Sequence, residues 1–140
     1  MNISAKVTNR TDSHEVTLST AGREHTLSIA AKADGFGSSV NGGELLFLAL
    51  ATCYCNDLYR EAKKRNITIE QVEVEVSGEF GTEGEGAKNI TYSARVTAAA
   101  PEAEITELMQ HADTVAEIHN TLRHSAPVVL LGCEARRSGS

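Results

Sequence analysis

Tryptophan is absent from this 140-residue chain and aromatics make up only 4% of it, so any core must rest on Leu, Ile, Val and Ala. Basic clusters are scarce too: the longest is Lys63-Lys64-Arg65, in a chain of formal net charge -6. Gripping a phosphate backbone needs a clustered basic surface, so no nucleic-acid partner is expected. No apolar run approaches the roughly 20 residues that cross a bilayer. The longest, Leu45 to Ala51, breaks at Thr52 and resumes as Cys53-Tyr54-Cys55. The N-terminus, Met1-Asn2-Ile3-Ser4-Ala5-Lys6, lacks the apolar centre of a signal peptide. Cysteine is limited to three, an odd number that does not make a disulfide framework. The expectation is a cytoplasmic protein with reduced thiols and no membrane association.

What is present fits one α+β domain over residues 1–137, with 138–140 as a loose tail. The apolar fraction of 41% is ordinary for a globular protein and sufficient for a core at this length. Period-two alternation marks Ile3, Ala5 and Val7, then Val16 and Leu18, then Leu27 and Ile29. Thr11-Asp12-Ser13 and Ala21-Gly22-Arg23 supply turns between them, which predicts three antiparallel strands. A loop, Asp34-Gly35-Phe36-Gly37-Ser38-Ser39, leads into a helix predicted from Gly42 to Arg65. Asn41 caps this helix, with Glu44 three residues on as in a capping box. Its first half is apolar all round, which predicts burial on every side; its polar second half should face solvent.

Gln71 to Val76 alternates strictly and pairs with a returning strand through Ile90, Tyr92, Ala94 and Val96. Pro101 opens a second helical region, with Ile105, Leu108, Met109, Ala112 and Val115 on one stripe, extended by Ile118 and Leu122. Val128-Val129-Leu130-Leu131-Gly132-Cys133 reads as a last, buried strand. The order is βββ-α-ββ-α(α)-β. An all-apolar half-helix needs more cover than these elements offer, and a symmetric homodimer is the simplest source of it.

Few residues could carry chemistry. The glycines of Asp34-Gly35-Phe36-Gly37 and Asn41-Gly42-Gly43 do not have the spacing of a phosphate-binding loop, and no nucleotide cofactor is expected. Cys53 and Cys55, two apart on a helix, point about 160–200° away from each other and cannot share an ion. His111, His119 and His124 lack a matched ligand set and read as surface or cap residues, so no metal is expected. Cys53 remains, either as an apolar filler or as a nucleophile needing a cation such as Arg23 or Lys32. Asp57, one turn on, opposes thiolate formation and should be solvated or paired with Arg60 or Lys64.

Gly42-Gly43-Glu44-Leu45-Leu46-Phe47-Leu48-Ala49-Leu50-Ala51-Thr52-Cys53 resembles the central-helix signature of the OsmC/Ohr family (osmotically inducible and organic hydroperoxide resistance proteins). Ala116-Glu117-Ile118-His119-Asn120-Thr121-Leu122, followed by Pro127-Val128, resembles its second signature. The resemblance implies an intertwined homodimer with a long central helix and active sites at the subunit interface. It further implies that Cys53 is a peroxidatic cysteine, oxidised to a sulfenic acid by a hydrophobic organic hydroperoxide and then reduced by a thiol. In the family a second cysteine closes a disulfide, and an arginine paired with the glutamate holds the thiolate.

This chain departs twice. Ala116 stands near the second-cysteine position, leaving Cys55 and Cys133 as the other thiols, and Lys32 stands roughly where the arginine is expected. Glu44 and Cys53 lie about 13 Å apart on opposite faces of one helix, so Glu44 would serve a thiol only across a two-fold axis. Two other readings compete with the peroxidase. One is a non-catalytic dimeric binding module with an apolar interface pocket. The other is a cysteine hydrolase using His119 or His25.

Overall fold

The computed structural model describes residues 1–138, so the last two residues of the expected tail lie outside the description. Eight elements follow in order: β1 (Ile3–Arg10), β2 (Ser13–Thr20), β3 (Arg23–Leu27), α1 (Gly42–Lys64), β4 (Thr68–Phe80), β5 (Ala87–Ala99), α2 (Glu102–Val115) and α3 (Glu117–Arg123). The chain divides into two units, one of residues 1–49 and 76–92, the other of residues 50–75 and 93–138.

The first unit carries the antiparallel meander β1-β2-β3, in which Val7 pairs with Val16 and Val16 with Leu27. Alternation thus builds one apolar row across three strands. The β2–β3 turn needs left-handed backbone at both central positions, supplied by Ala21 (φ 50) and Gly22 (φ 80), as a tight hairpin demands. The Asp12 N–H donates to the Gly35 carbonyl at 2.9 Å, tying the glycine loop to the first hairpin. Gly35 is itself left-handed (φ 87), and a Cβ there would sit 2.8 Å from Asp12 Oδ1. Ahead of α1 the capping box forms as read: the Glu44 N–H donates to Asn41 Oδ1 at 2.8 Å, and the Asn41 N–H to Glu44 Oε1 at 2.9 Å. Phe47 and Phe80 stack at 6.0 Å in the same unit.

Cross-strand partners in β4 and β5 run Glu79 to Asn89, Ser77 to Thr91 and Glu73 to Arg95, the opposed progression of an antiparallel hairpin. Past α1, Asn66 adopts a left-handed conformation (φ 56) and the Ile67 N–H returns to the Ala62 carbonyl at 2.9 Å, closing the helix end. In the second unit the Tyr54 hydroxyl donates to the Met109 carbonyl at 2.8 Å, joining α1 to α2. Leu50, Tyr54, Leu58, Ala62, Leu108, Ala112 and Ala116 form its core.

Two expectations fail. The polar half of α1 does not simply face solvent: Asp57, Leu58, Glu61 and Ala62 are buried, as are Leu50 and Tyr54 before them, while Leu48 is 58% exposed in the single chain. The polar half is buried because α2 and α3 supply both apolar cover and ionic partners for its charges. The last strand is absent among the described residues: Val128 to Cys133 is extended without a ladder, and Val128 and Leu131 are 99% and 98% exposed. Among the described residues, no helix is long and apolar enough to cross a membrane.

Candidate active site

Cys53 lies half-buried on α1, in the second unit. Four residues on, one helical turn, Asp57 turns the same way, and its Oδ2 lies 3.6 Å from Cys53 Sγ. Glu117, the first residue of α3, brings Oε2 to 3.8 Å from the same sulfur. The other oxygens of both carboxylates meet one nitrogen: Arg60 Nη1 stands 3.1 Å from Asp57 Oδ1 and 3.2 Å from Glu117 Oε1. Each acid thus bridges the guanidinium to the thiol, and Arg60 fixes the orientation of both.

The electrostatics follow from that layout. Burial pushes the Cys53 thiol up, and the charges of Asp57 and Glu117 push it further, against a backbone hydrogen bond from Ile118. Burial and the neighbouring Glu117 charge also raise the Asp57 carboxyl, opposed by Arg60. Glu117 is held low, first by a hydrogen bond from its own backbone N–H and then by Arg60. Behind this cluster Glu61 accepts from Arg60 Nε at 3.0 Å, Lys64 Nζ at 2.9 Å and His111 Nε2 at 3.0 Å. Lys64 and Arg60 hold its carboxyl at about 2.

Ligand atoms of Cys53, Asp57 and Glu117 all lie within 4.8 Å of one another, a spacing a metal could span. The positive charge that such a trio attracts is here already supplied by Arg60. His119 is buried rather than at the surface, with its ring 6.1 Å from that of Tyr54. Among the described residues the side-chain hydrogen-bond partners of the Cys53 sulfur are the carboxylates of Asp57 and Glu117. His25 is an exposed residue of β3 in the other unit. Arg23 and Lys32 also belong to the other unit, and Glu44 is committed there to its capping box. Cys55 lines a recess of about 250 Å³ with Ala51, Thr52, Asn56, Val72 and Val74. Cys133 lies exposed on the extended C-terminal segment.

Arg60 and Glu117 were not read as site residues. Arg60 carries a faint signal, three residues after Asp57 and seven after Cys53, on one face of α1. Glu117 follows the buried Ala116 and brings its carboxylate to the Cys53 sulfur across 64 positions, a contact that no spacing in the sequence signals.

The α+β order, with Cys53 on a long helix, is the architecture this chain shares with OsmC-like solved structures. A profile of the family described as OsmC-like protein matches residues 35–130, and the chain belongs to that family. Similar solved structures include an OsmC-like protein from Mycoplasma pneumoniae, 25% identical, covering 87% of this chain and 86% of that one, with a TM-score of 0.58. The organic hydroperoxide resistance protein OhrB of Bacillus subtilis is 25% identical over 86% of this chain and 90% of its own, with a TM-score of 0.52. An organic hydroperoxide resistance protein OsmC from Legionella pneumophila shares the fold at 23% identity, covering 88% and 90%, with a TM-score of 0.57. No curated protein sequence matches the chain.

Proposed function

We propose that the chain is a thiol-dependent reductase of hydrophobic organic hydroperoxides, with Cys53 as the attacking residue. The observation that carries this reading is the placement of the family-signature cysteine, half-buried and hydrogen-bonded into a charged cluster that Arg60 organises. Sulfur attacks the O–O bond, an alcohol leaves, and Cys53 becomes a sulfenic acid that a thiol reduces. The apolar run of α1 ahead of Cys53, together with relatives named for organic hydroperoxide resistance, supports an apolar substrate. With Ala116 at the second-cysteine position, the reducing thiol is assigned to a separate molecule. We also assign the protein as a homodimer, in which Glu44 would act across the two-fold axis on the thiol of the other copy.

Cys53→Ser is expected to abolish consumption of cumene hydroperoxide in the presence of a dithiol while leaving circular dichroism unchanged. Undiminished consumption by that variant would sink the reading. The raised thiol and the alanine at position 116 favour a second reading, a dimeric binding module that has kept the fold. It is distinguished by apolar-ligand binding that survives loss of the Cys53 thiol.

A further inference from the structure

We propose that Asp57 carries the proton of the Cys53 reaction, taking it from the thiol as sulfur attacks and handing it to the departing alkoxide. The proposal rests on the reductase reading and names a catalytic residue of the same site. Two difficulties call for such a group. The sulfur faces two carboxylates and is not a standing thiolate, and an alkoxide is a poor leaving group unless it is protonated as the O–O bond breaks. One acid placed against the sulfur answers both.

Asp57 fits by geometry. Its Oδ2 is 3.6 Å from Cys53 Sγ, while Oδ1 is held 3.1 Å from Arg60, so the oxygen turned to the thiol is fixed. Both residues sit on one helix a turn apart, a rigid spacing. Its side chain is only 6% exposed, whereas that of Glu117 is 65% exposed. A buried acid exchanges its proton with the reacting atoms in preference to water. Burial raises the Asp57 carboxyl toward holding a proton, while Glu117 is kept charged by its own backbone N–H and by Arg60. Glu117 and Arg60 are therefore positioning residues.

The step balances. The thiol proton passes to the Asp57 carboxylate as Cys53 Sγ bonds to the terminal oxygen of R–O–O–H. The O–O bond breaks, sulfur is oxidised by two electrons and the peroxide is reduced by two. The leaving RO⁻ takes the proton from Asp57 and departs as ROH, which leaves Cys53 as a sulfenic acid and Asp57 as a carboxylate.

Leaving-group chemistry tests this. In full-length protein carrying Cys55→Ser and Cys133→Ser, Cys53 oxidation is timed with cumene hydroperoxide and with peracetic acid, whose acetate departs without needing a proton. Asp57→Asn is expected to slow the cumene reaction by about 100-fold, the low end of what acid–base catalysis contributes, and to slow the peracid reaction by clearly less, since that reaction loses only the acceptor of the thiol proton. Asp57→Ser, lacking the amide, should show the same split. Equal losses with both oxidants, no loss, or faster oxidation by cumene hydroperoxide would overturn the proposal while leaving the reductase reading in place. If the Asp57-containing parent is oxidised by neither compound at Cys53, both fall together.

Discussion

Cys53 meets carboxylates where a peroxidatic thiol ordinarily meets a cation. Its sulfur is placed against Asp57 and Glu117, and the nearby Arg60 spends its charge on those acids. Burial and both carboxylates favour the neutral thiol. Alkylation of Cys53 by iodoacetamide, measured against pH with Cys55 and Cys133 replaced by serine, should therefore show a midpoint above that of a free cysteine, about 8.5. Removing one charge by Glu117→Gln should shift that midpoint downward, because a repelling carboxylate has gone. A midpoint below that of a free cysteine in the parent would contradict the arrangement seen here. At this scale the sequence was partly legible. Cys53 stood out as the thiol of a recognisable helix signature, and the Asn41–Glu44 cap followed from spacing alone. Glu117 could not be read, since its contact with Cys53 spans 64 positions and depends on how α3 docks against α1. Spacing leaves Asp57 solvated or paired with Arg60 or Lys64, and the structure pairs it with Arg60; its burial was not legible, because burial is set by helices far away in sequence.

Among the elements, α1 shows how hydrophobicity alone misplaces a face. Periodicity assigned solvent to the half containing Asp57 and Glu61, yet both are buried and their charges are met within the chain. Glu61 is the anchor, taking Lys64 and Arg60 from its own helix and His111 from α2. Its carboxyl is held at about 2 instead of 4.5, so the folded chain prefers the ionised form. The stabilisation is complete above 4.5 and disappears as pH falls towards 2, since the unfolded chain then binds the proton more readily. The urea midpoint should accordingly fall across that window, and Glu61→Gln should lack this share of the fall. A variant with the same acid sensitivity as the parent would show that the α1–α2 bridge contributes nothing to stability. The strands were more transparent than the helix. Alternation gave the β1-β2-β3 meander and the β4-β5 hairpin because each strand's inward residues are set by the period of two.

For the molecule as a whole, the distribution of core residues is the decisive fact. Val16 is the one buried hydrophobic residue of the first unit among the described residues; the rest lie in the second. In the first unit Val7 is 59% exposed and Leu48 58%, and in the second Val128 to Leu131 are 72% exposed or more. A three-stranded meander whose apolar row is covered at Val16 but left open at Val7 and Leu27 gains too little burial to offset the conformational entropy lost in ordering it. Another copy of the chain is the cover that the family resemblance implies, and it would also give the apolar C-terminal segment a place to pair. That segment was read as a buried strand from composition, which records what a segment buries but not which chain covers it. Subunits that complete each other's cores unfold and dissociate together, so stability depends on protein concentration. Residues 1–137 are accordingly expected to unfold as one domain: a single urea transition, coincident by circular dichroism and tyrosine fluorescence, whose midpoint rises with concentration. Two separated transitions would show that the units fold independently. A single transition at a midpoint indifferent to concentration would show that the chain covers its own apolar surfaces, and the dimer would then have to be abandoned.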